Sequence, residues 1–376
     1  MSDDVCTGAS KANNGNIHPG MSVKPGTLKA KLNVEGAKMY PALCEELGVP
    51  YSQPGALVIG FTEEDRATLE NLVRQAEEND VPCVKLIERE EILAMEPNTN
   101  PEVLCALYAP TSGLTSPYEL TCALADHAAV NGVEFMLETF VNKIERVEGG
   151  YKLDTTKGEM TAKIVVNCAG VNSAKLHNML SDKELTIIPR KGEYYLLDHT
   201  KPLQFTMTMF QCPTVMGKGI LVSPTCHGNL LLGPTAIDVE DGTAVETTAE
   251  GLKWAADAAR LTWPKENLRT VITTFAGIRA HEENGDFVIG AVEGVDMAFE
   301  TIGIESPGLS AAPAIAEYLV DMIEKAEGLT KKAEWKPAPK REKPFYAMTL
   351  EERAEIVELC KWWQGKTVED LVNSRL

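Results

Sequence analysis

The sequence predicts a mixed fold, α/β joined to α+β, and three observations carry that prediction. Residues 26–47, 62–79, 118–131 and 309–326 repeat apolar side chains at three- and four-residue spacing, as helices packed on a core do. AKIVVN (162–167) is apolar on both faces, the pattern of a buried parallel strand, and runs straight into Cys168-Ala169-Gly170. Residues 186–276 hold a series of strand-like segments with one helix among them, which reads as an antiparallel sheet domain rather than further βαβ units. At 376 residues, and roughly 150 residues per domain, the chain has room for two domains or three.

The elements follow in order. The first twenty residues, with His18-Pro19-Gly20, are rich in Gly, Asn and Ser and predict a loop. Leu28, Leu32, Ala37 and Leu43 mark the first helix, which Gly48 ends. ALVIGF (56–61) is a strand. Thr62, with Asp65 three residues on, opens the next helix as a partial capping box, and Val81-Pro82 stops it. A helix over 118–131 ends at Gly132. Period-two alternation then predicts a strand at 133–137 and a meander at 140–147, 150–156 and 159–167, turning at Gly149-Gly150 and Lys157-Gly158. The β-rich block holds a helix near 248–260. The helix over 309–326 is followed by a Pro- and charge-rich linker, and Thr349–Glu352 is a capping box for a last helix ending near Trp363.

Charge and composition exclude several function classes. Lys plus Arg number 36 against 55 Asp plus Glu, a net charge of −19, which repels phosphate backbones and anionic lipid. Nucleic acid and membrane surface are therefore not expected partners, although a local basic pocket for one small anion is allowed. No apolar run approaches the roughly 18 residues of a membrane span, no helix is basic and amphipathic enough to dock on a membrane, and the N-terminus lacks the pattern of a signal peptide. The nine cysteines are scattered and form no CxxC, so no metal site is expected and reduced thiols in a cytoplasmic protein are the simplest reading.

The chemistry concentrates at glycine-bearing junctions. VVNCAGVNSAKL (165–176) and ETIGIESPGLSAAPAIA (300–316) place glycines where a strand meets a helix or loop, and the N-terminal loop is a third such segment. Backbone N–H groups at such junctions point at an anion, and glycine allows a phosphate to approach closely. Any one of them alone is as readily a tight turn needed for chain reversal; three together favour a phosphate-bearing ligand.

These segments carry a resemblance. SKANNGNIHPGMSVKPGTLKAKL, TFVNKIERVEGGYKL, AKIVVNCAGVNSAKL, RKGEYYLLD, NLLLGPTA, FAGIRA and IGIESPGLSAAPAIA occur in order from residue 5 to about residue 325. Together they resemble the FAD-dependent dehydrogenases of the D-amino-acid-oxidase-like superfamily, nearest to the anaerobic glycerol-3-phosphate dehydrogenase large subunit and L-2-hydroxyglutarate oxidase. The resemblance implies a Rossmann-like FAD/NAD(P)-binding domain from 1–45, 115–185 and 277–330, an antiparallel-sheet substrate domain from 46–114 and 186–276, and a linker and C-terminal helix over 331–376. It implies that Ser10, Lys11, Asn13 and Gly15 line the flavin's pyrophosphate and ring, that Val141 holds adenine through its backbone, and that Ala169, Gly170 and Ser173 flank diphosphate and ribose. Gly303, Ile304, Ser306, Gly308 and Leu309 would cover the pyrimidine end of the ring.

The implied reaction is hydride transfer from the C–H of a small hydroxylated anion to flavin, with glycerol 3-phosphate as first substrate and L-2-hydroxyglutarate as the alternative. Arg279 would clamp the anion, since a planar guanidinium suits carboxylate or phosphate; the other reading is a surface pair with Glu282 or Glu283. Lys191 and Tyr194, in the RKGEYY segment, would sit at the mouth of the same pocket. His18 is the first candidate for the base that takes the hydroxyl proton and His281 the second, while His127 and His177 lie on predicted helices.

The pattern departs from the family at both ends. Relatives begin with a strand, a G-x-G-x-x-G turn and a helix, and this chain begins just after that unit. The expectation is a truncated reading frame whose parent holds FAD, with a unit supplied by a partner chain as the other option and a non-catalytic fragment or subunit as the non-enzyme alternative. A nicotinamide dehydrogenase is disfavoured because no dinucleotide fingerprint is present. Glycerol-phosphate relatives often continue into a cysteine-rich module that passes electrons on; here only Cys360 follows the linker. The electron acceptor is left unnamed, a separate subunit being one option.

Overall fold

The computed structural model describes residues 2–200, 202–213, 219–340 and 348–355. In chain order its elements are β1 (Asn16–Ile17), α1 (Leu28–Leu47), β2 (Tyr51–Ser52), β3 (Ala56–Gly60), α2 (Glu63–Glu78), β4 (Lys85–Glu88), α3 (Arg89–Met95), β5 (Cys105–Ala109), β6 (Gly113–Thr115) and α4 (Pro117–Val130). They continue as β7 (Val141–Val147), β8 (Gly150–Thr155), β9 (Gly158–Ala162), β10 (Val165–Asn167), α5 (Ser173–His177), β11 (Ile187–Leu197), β12 (Thr208–Gln211), β13 (Leu221–Pro224) and β14 (Leu230–Gly233). The last are β15 (Ile237–Asp238), α6 (Ala249–Thr262), β16 (Val271–Glu282), β17 (Val288–Ala291), β18 (Ala298–Ile302) and α7 (Gly308–Glu327).

The helices form where local chemistry specifies them. Thr27 opens α1, its hydroxyl accepting from the Ala30 N–H at 3.1 Å, and Gly48 closes it at φ +64°, a left-handed conformation that a Cβ would penalise. The capping box of α2 is complete: Thr62 Oγ1 accepts from the Asp65 N–H at 3.1 Å, and the Asp65 carboxylate accepts from the Thr62 N–H at 3.0 Å. Ser116 and Thr248 cap α4 and α6 from one side only, their hydroxyls accepting from the Glu119 and Gly251 N–H groups.

Strands 56–60, 85–88 and 105–109 join strands 187–282 in one nine-stranded sheet, ordered β15-β11-β14-β13-β12-β3-β5-β4, with β16 on the other edge of β11. Side chains alternate across it. Leu57 and Ile59 pack with Met209, Leu232 and, from α6, Ala255 and Ala259. Ala56 and Val58 pack on the opposite face with Leu69 and Ala76 of α2. A separate three-stranded sheet, β10-β18-β17, pairs β10 parallel to β18 with Asn167 opposite Glu300. The α1–α7 pair packs beside it through Leu32, Phe287, Ala311, Ala314 and Ile315.

Four expectations are corrected. The large sheet is not wholly antiparallel: β3 and β12 run parallel, which about 150 intervening residues permit because parallel pairing needs a long crossover. No strand forms at 133–137, where Val133, Phe135 and Met136 are exposed; alternation suits a strand, but a strand needs a ladder, and here the Glu138 N–H donates to the Ser2 carbonyl instead. The meander's third strand breaks at Lys163-Ile164, so β9 stays with β7 and β8 while β10 joins the other sheet. Finally, β10 is not buried on both faces: Val165 and Asn167 are buried, but Val166 between them is 41% exposed.

The chain divides into units Met1–Ala338 and Pro339–Leu376. In the second, residues 350–355 are helical and Thr349 Oγ1 accepts from the Glu352 N–H at 3.2 Å. The rest of the predicted last helix and Cys360 lie outside the described residues. Among the described residues no helix is long and apolar enough to cross a membrane, and no cluster suits a metal ion. The eight described cysteines are free thiols.

Burial pushes the Asp65 carboxyl up, but hydrogen bonds from Phe61 and Thr62 outweigh it and hold the group below its ordinary value. A carboxylate so held stabilises the fold above its unfolded pKa of about 4 and ceases to do so as pH falls through the lower folded value. Asp65→Asn should therefore cost about 1 kcal/mol in urea unfolding at pH 7, with the difference from wild type closing in acid. An undiminished difference in acid would refute the ionic contribution.

Candidate active site

The longest ladder in the structure sets the site. β11 and β16 pair from Ile187–Glu282 to Leu197–Val271, placing Arg190 opposite Arg279, Gly192 opposite Gly277 and Tyr194 opposite Phe275. These six residues share one face of the ladder. Tyr194 stacks on Phe275 with centroids 4.8 Å apart and planes at 11°. Burial raises the Tyr194 hydroxyl above its ordinary pKa, and the positive charge of Arg279 pulls the other way.

Arg279 is half-buried, and its Nη2 donates to the Thr235 carbonyl at 3.1 Å. Gly192 makes room for it: a Cβ there would lie 2.6 Å from Arg279 Nη2 and 2.9 Å from Pro234 Cβ. Neither alternative partner takes the guanidinium. The Glu282 carboxylate accepts from the Asn284 N–H and Nδ2, both at 2.8 Å, and Glu283 is exposed. Arg190, its cross-strand neighbour, is instead neutralised by Asp238 through two hydrogen bonds of 2.6 and 3.1 Å. Among the described residues, then, Arg279 is a half-buried cation with no carboxylate on it.

Lys191 does not join this face, and its predicted place at the pocket mouth is corrected. It lies one position out of phase with Arg190, so alternation sends it to the opposite side. There it is 5% exposed, with Nζ 3.2 Å from Glu193 Oε1 and 3.1 Å from the Glu246 carbonyl. Glu193 in turn accepts from the Thr248 N–H at 3.0 Å, fixing the start of α6 to the sheet.

The N-terminal loop lies against the same ladder. At Gly277 a Cβ would overlap the Ala12 carbonyl, so this loop reaches the strand only because residue 277 has no side chain. Asn13 folds the loop from within: its Oδ1 accepts from the Gly15 N–H at 2.9 Å, and its Nδ2 donates to the Ala9 and Ser10 carbonyls at 3.1 and 2.9 Å. Ser10 and Lys11 are exposed, and the Gly15 carbonyl accepts from the Thr115 N–H at 3.0 Å. His18 directly follows β1, half-buried, its ring 5.4 Å from that of Phe210.

The other histidines have structural partners. His281 Nδ1 lies 3.2 Å from Glu305 Oε1, which also meets Lys29 Nζ at 3.3 Å. His177 sits between Glu300 and the Lys183 carbonyl, each 2.7 Å from a ring nitrogen. His127 packs on Trp335 at 5.2 Å.

The two glycine junctions emerge side by side. Because β10 and β18 are parallel neighbours, the Ala169–Gly170 turn and the loop beginning at Gly303 leave the same end of their sheet, the edge where open α/β sheets bind ligands. Ser173 is fully buried, and its Oγ has no hydrogen-bond partner among the described residues. Ile304 and Leu309 are half-buried and Ser306 exposed. α7 starts at Gly308 without a side-chain cap; in its first turn the Gly308 and Ala311 N–H groups donate to the Glu305 and Pro307 carbonyls, and those of Leu309 and Ser310 meet no side-chain acceptor among the described residues. Tyr40 Oη donates to the Leu309 carbonyl. Val141 opens β7, half-buried, paired with Thr155. Sequence reading missed Gly192, Gly277 and Thr235; a glycine inside a strand pattern is the signal that marks the first two as sites of close approach.

Gly277→Ala should push the N-terminal loop off the strand. The expected result is faster amide hydrogen exchange across residues 8–15, with a stability loss of about 1–3 kcal/mol. Unchanged exchange in that segment would contradict the packing role.

The profile described as FAD dependent oxidoreductase (DAO) matches residues 1–322. The glycerol 3-phosphate dehydrogenase of Caloramator mitchellensis is 42% identical over 360 residues, spanning 96% of this chain and 75% of that protein. The structure of dithionite-reduced L-alpha-glycerophosphate oxidase from Mycoplasma pneumoniae with FAD bound superposes with a TM-score of 0.84 at 30% identity, covering 88% of each chain. The mitochondrial L-2-hydroxyglutarate dehydrogenase of Homo sapiens is 28% identical over 240 residues, 60% of this chain and 51% of that protein. Motif order, site geometry and these matches agree: the chain belongs to the FAD dependent oxidoreductases of the DAO family.

Proposed function

We propose that the chain oxidises glycerol 3-phosphate at its secondary carbinol, giving a ketone, with Arg279 holding the phosphate and His18 taking the hydroxyl proton. The observation that carries this reading is the half-buried Arg279 guanidinium, which donates to a carbonyl and, among the described residues, meets no carboxylate in a chain of net charge −19. Holding a cation that way is costly unless an anion arrives to complete it. The planar fork suits phosphate oxygens, and Arg190, already satisfied by Asp238, is not in competition for them.

The residues present fit FAD. Among the described residues the Ser173 hydroxyl beside the Ala169–Gly170 turn is an orphaned donor, and the Leu309 and Ser310 N–H groups of α7 meet no side-chain acceptor. In this reading Ser10, Lys11, Asn13 and Gly15 meet the pyrophosphate side, Val141 the adenine, Ala169, Gly170 and Ser173 the diphosphate and ribose, and Gly303, Ile304, Ser306, Gly308 and Leu309 the pyrimidine end. Bound FAD supplies the two-electron acceptor for the substrate's hydride.

The chain's own residues supply orientation and proton transfer. Arg279 and Tyr194 fix the anion end of the substrate against the β11–β16 ladder, which confines the carbinol to one region of the pocket. His18 accepts the O–H proton as the C–H bond breaks, so the carbonyl forms without a free alkoxide. His281, whose Nδ1 faces Glu305 at 3.2 Å, remains the second candidate for that role. The same reading divides the first unit into a cofactor domain (1–45, 115–185, 277–330) and a substrate domain (46–114, 186–276). It places the enzyme in the cytoplasm, with electrons leaving to a separate acceptor.

Two variants separate the roles. Arg279→Ala should raise KM for glycerol 3-phosphate about 10- to 100-fold, whereas His18→Gln should lower kcat about 100-fold or more with a smaller change in KM. An L-2-hydroxyglutarate arm decides the substrate: stronger turnover on the dicarboxylate would reassign it.

A further inference from the structure

Resting on the assignment of His18 as the base, we infer that Ser310 and Asn33 are positioning residues that hold it. The β1–β6 ladder pairs only Asn16 and Ile17, so sheet pairing ends one residue before His18. Buried side chains from two helices take over. Ser310 Oγ accepts from the His18 N–H at 2.8 Å and donates to the Asn16 carbonyl at 3.4 Å, bridging the main chain on both sides of Ile17. Asn33 Nδ2 donates to the His18 carbonyl at 2.6 Å. Ser310 and Asn33 are both fully buried, and Ile17 is 1% exposed.

Both main-chain groups of His18 are therefore occupied by side chains from different elements, and Pro19 further restricts its backbone to extended conformations. With the backbone fixed, only the two side-chain torsions remain to aim the imidazole, and Phe210 flanks one side of it. The clamp is itself anchored to the large sheet: Asn16 Nδ2 donates to Thr208 Oγ1 at 2.9 Å, and Thr208 Oγ1 shares a 2.8 Å hydrogen bond with Ser223 Oγ. Ser310 lies in the first turn of α7, immediately after Gly308 and Leu309. One helical turn thus carries both the proposed cover of the flavin ring and the group that seats the base. A misplacement of the order of 1 Å at such a base costs up to about 100-fold in rate, which gives these two buried side chains leverage on the chemistry without touching substrate.

The test is anaerobic flavin reduction by glycerol 3-phosphate in the FAD-loaded chain, comparing wild type, Ser310→Ala, Ser310→Thr, His18→Gln and the His18→Gln/Ser310→Ala double variant. Ser310→Ala should slow reduction about tenfold or more with substrate affinity unchanged to within about twofold. Ser310→Thr, which keeps the hydroxyl, should recover most of the rate, and Ser310→Ala should have no further effect once His18 is Gln. A readout without turnover is the imidazole Cε1–H proton resonance of His18, assigned by its loss in His18→Gln: it should move in Ser310→Ala and return in Ser310→Thr, with or without FAD. Asn33→Ala, read the same way, replaces Ser310→Ala if that variant does not fold. A rate loss in His18→Gln but none in Ser310→Ala, or an equal Ser310→Ala loss in both backgrounds, would overturn the positioning role and leave the base assignment standing. No rate loss in His18→Gln would remove the base assignment, and this inference with it.

Discussion

Where α1 crosses α7 the two backbones touch. A Cβ on Gly36 would overlap the Ser310 carbonyl and lie 3.0 Å from Ala311 Cα, so the crossing exists only because that helical position has no side chain. Glycine inside a helix costs about 1 kcal/mol relative to alanine, and here the cost is offset by packing: Leu32, Ala311, Ala314, Ile315 and Phe287 close over the contact. α1 follows the N-terminal loop and α7 follows the Gly303 loop, so one crossing registers both loops against each other. Asn33 lies one turn before Gly36 and Ser310 on the facing helix, and between them they reach His18. Asp286 reinforces the arrangement by accepting from the Leu28 and Lys29 N–H groups at 3.1 and 2.9 Å. The Lys29–Glu305–His281 contacts then tie the Gly303 loop back to β16.

The second constraint is the β11–β16 ladder, which divides its charges by face. On one side Lys191 and Glu193 neutralise each other, buried, and hold α6 in place. On the other, Arg190 is paired with Asp238, while Arg279 donates to the Thr235 carbonyl and meets no carboxylate among the described residues. An acidic protein repels an anionic substrate over long range, and ions screen that repulsion beyond about 8–10 Å. Capture therefore depends on a short-range, partly desolvated cation, and the missing side chains at Gly192 and Gly277 provide the space for it and for the loop beside it.

Much of this was legible from residues alone, for identifiable reasons. The helices were readable because their ends carry their own signals, as Thr27 with Gly48 and Thr62 with Asp65 show. The family's motifs pointed to Arg279 and His18 by their sequence neighbours. Contacts made by residues far apart in the chain were not readable: the pairing of Gly192 with Gly277, the reach of Arg279 to Thr235, and the contact of Ser310 with His18 across 292 positions. The strand expected at 133–137 failed for a related reason, since alternation reports a preference and only a partner strand satisfies it. Two signals were present and passed over. Lys191 differs from Tyr194 by an odd number of residues, which already puts the two on opposite faces of a strand, and an isolated glycine such as Gly36 within a helical pattern marks a close approach.

The most direct measurement is the visible absorption of the chain, mixed with FAD, passed through gel filtration and then titrated anaerobically with glycerol 3-phosphate. The account predicts a structured flavin spectrum that co-elutes with the protein and bleaches on addition of substrate, with glycerol 3-phosphate effective below the concentration at which L-2-hydroxyglutarate acts. A protein that retains FAD but is not bleached by glycerol 3-phosphate would contradict the proposed reaction.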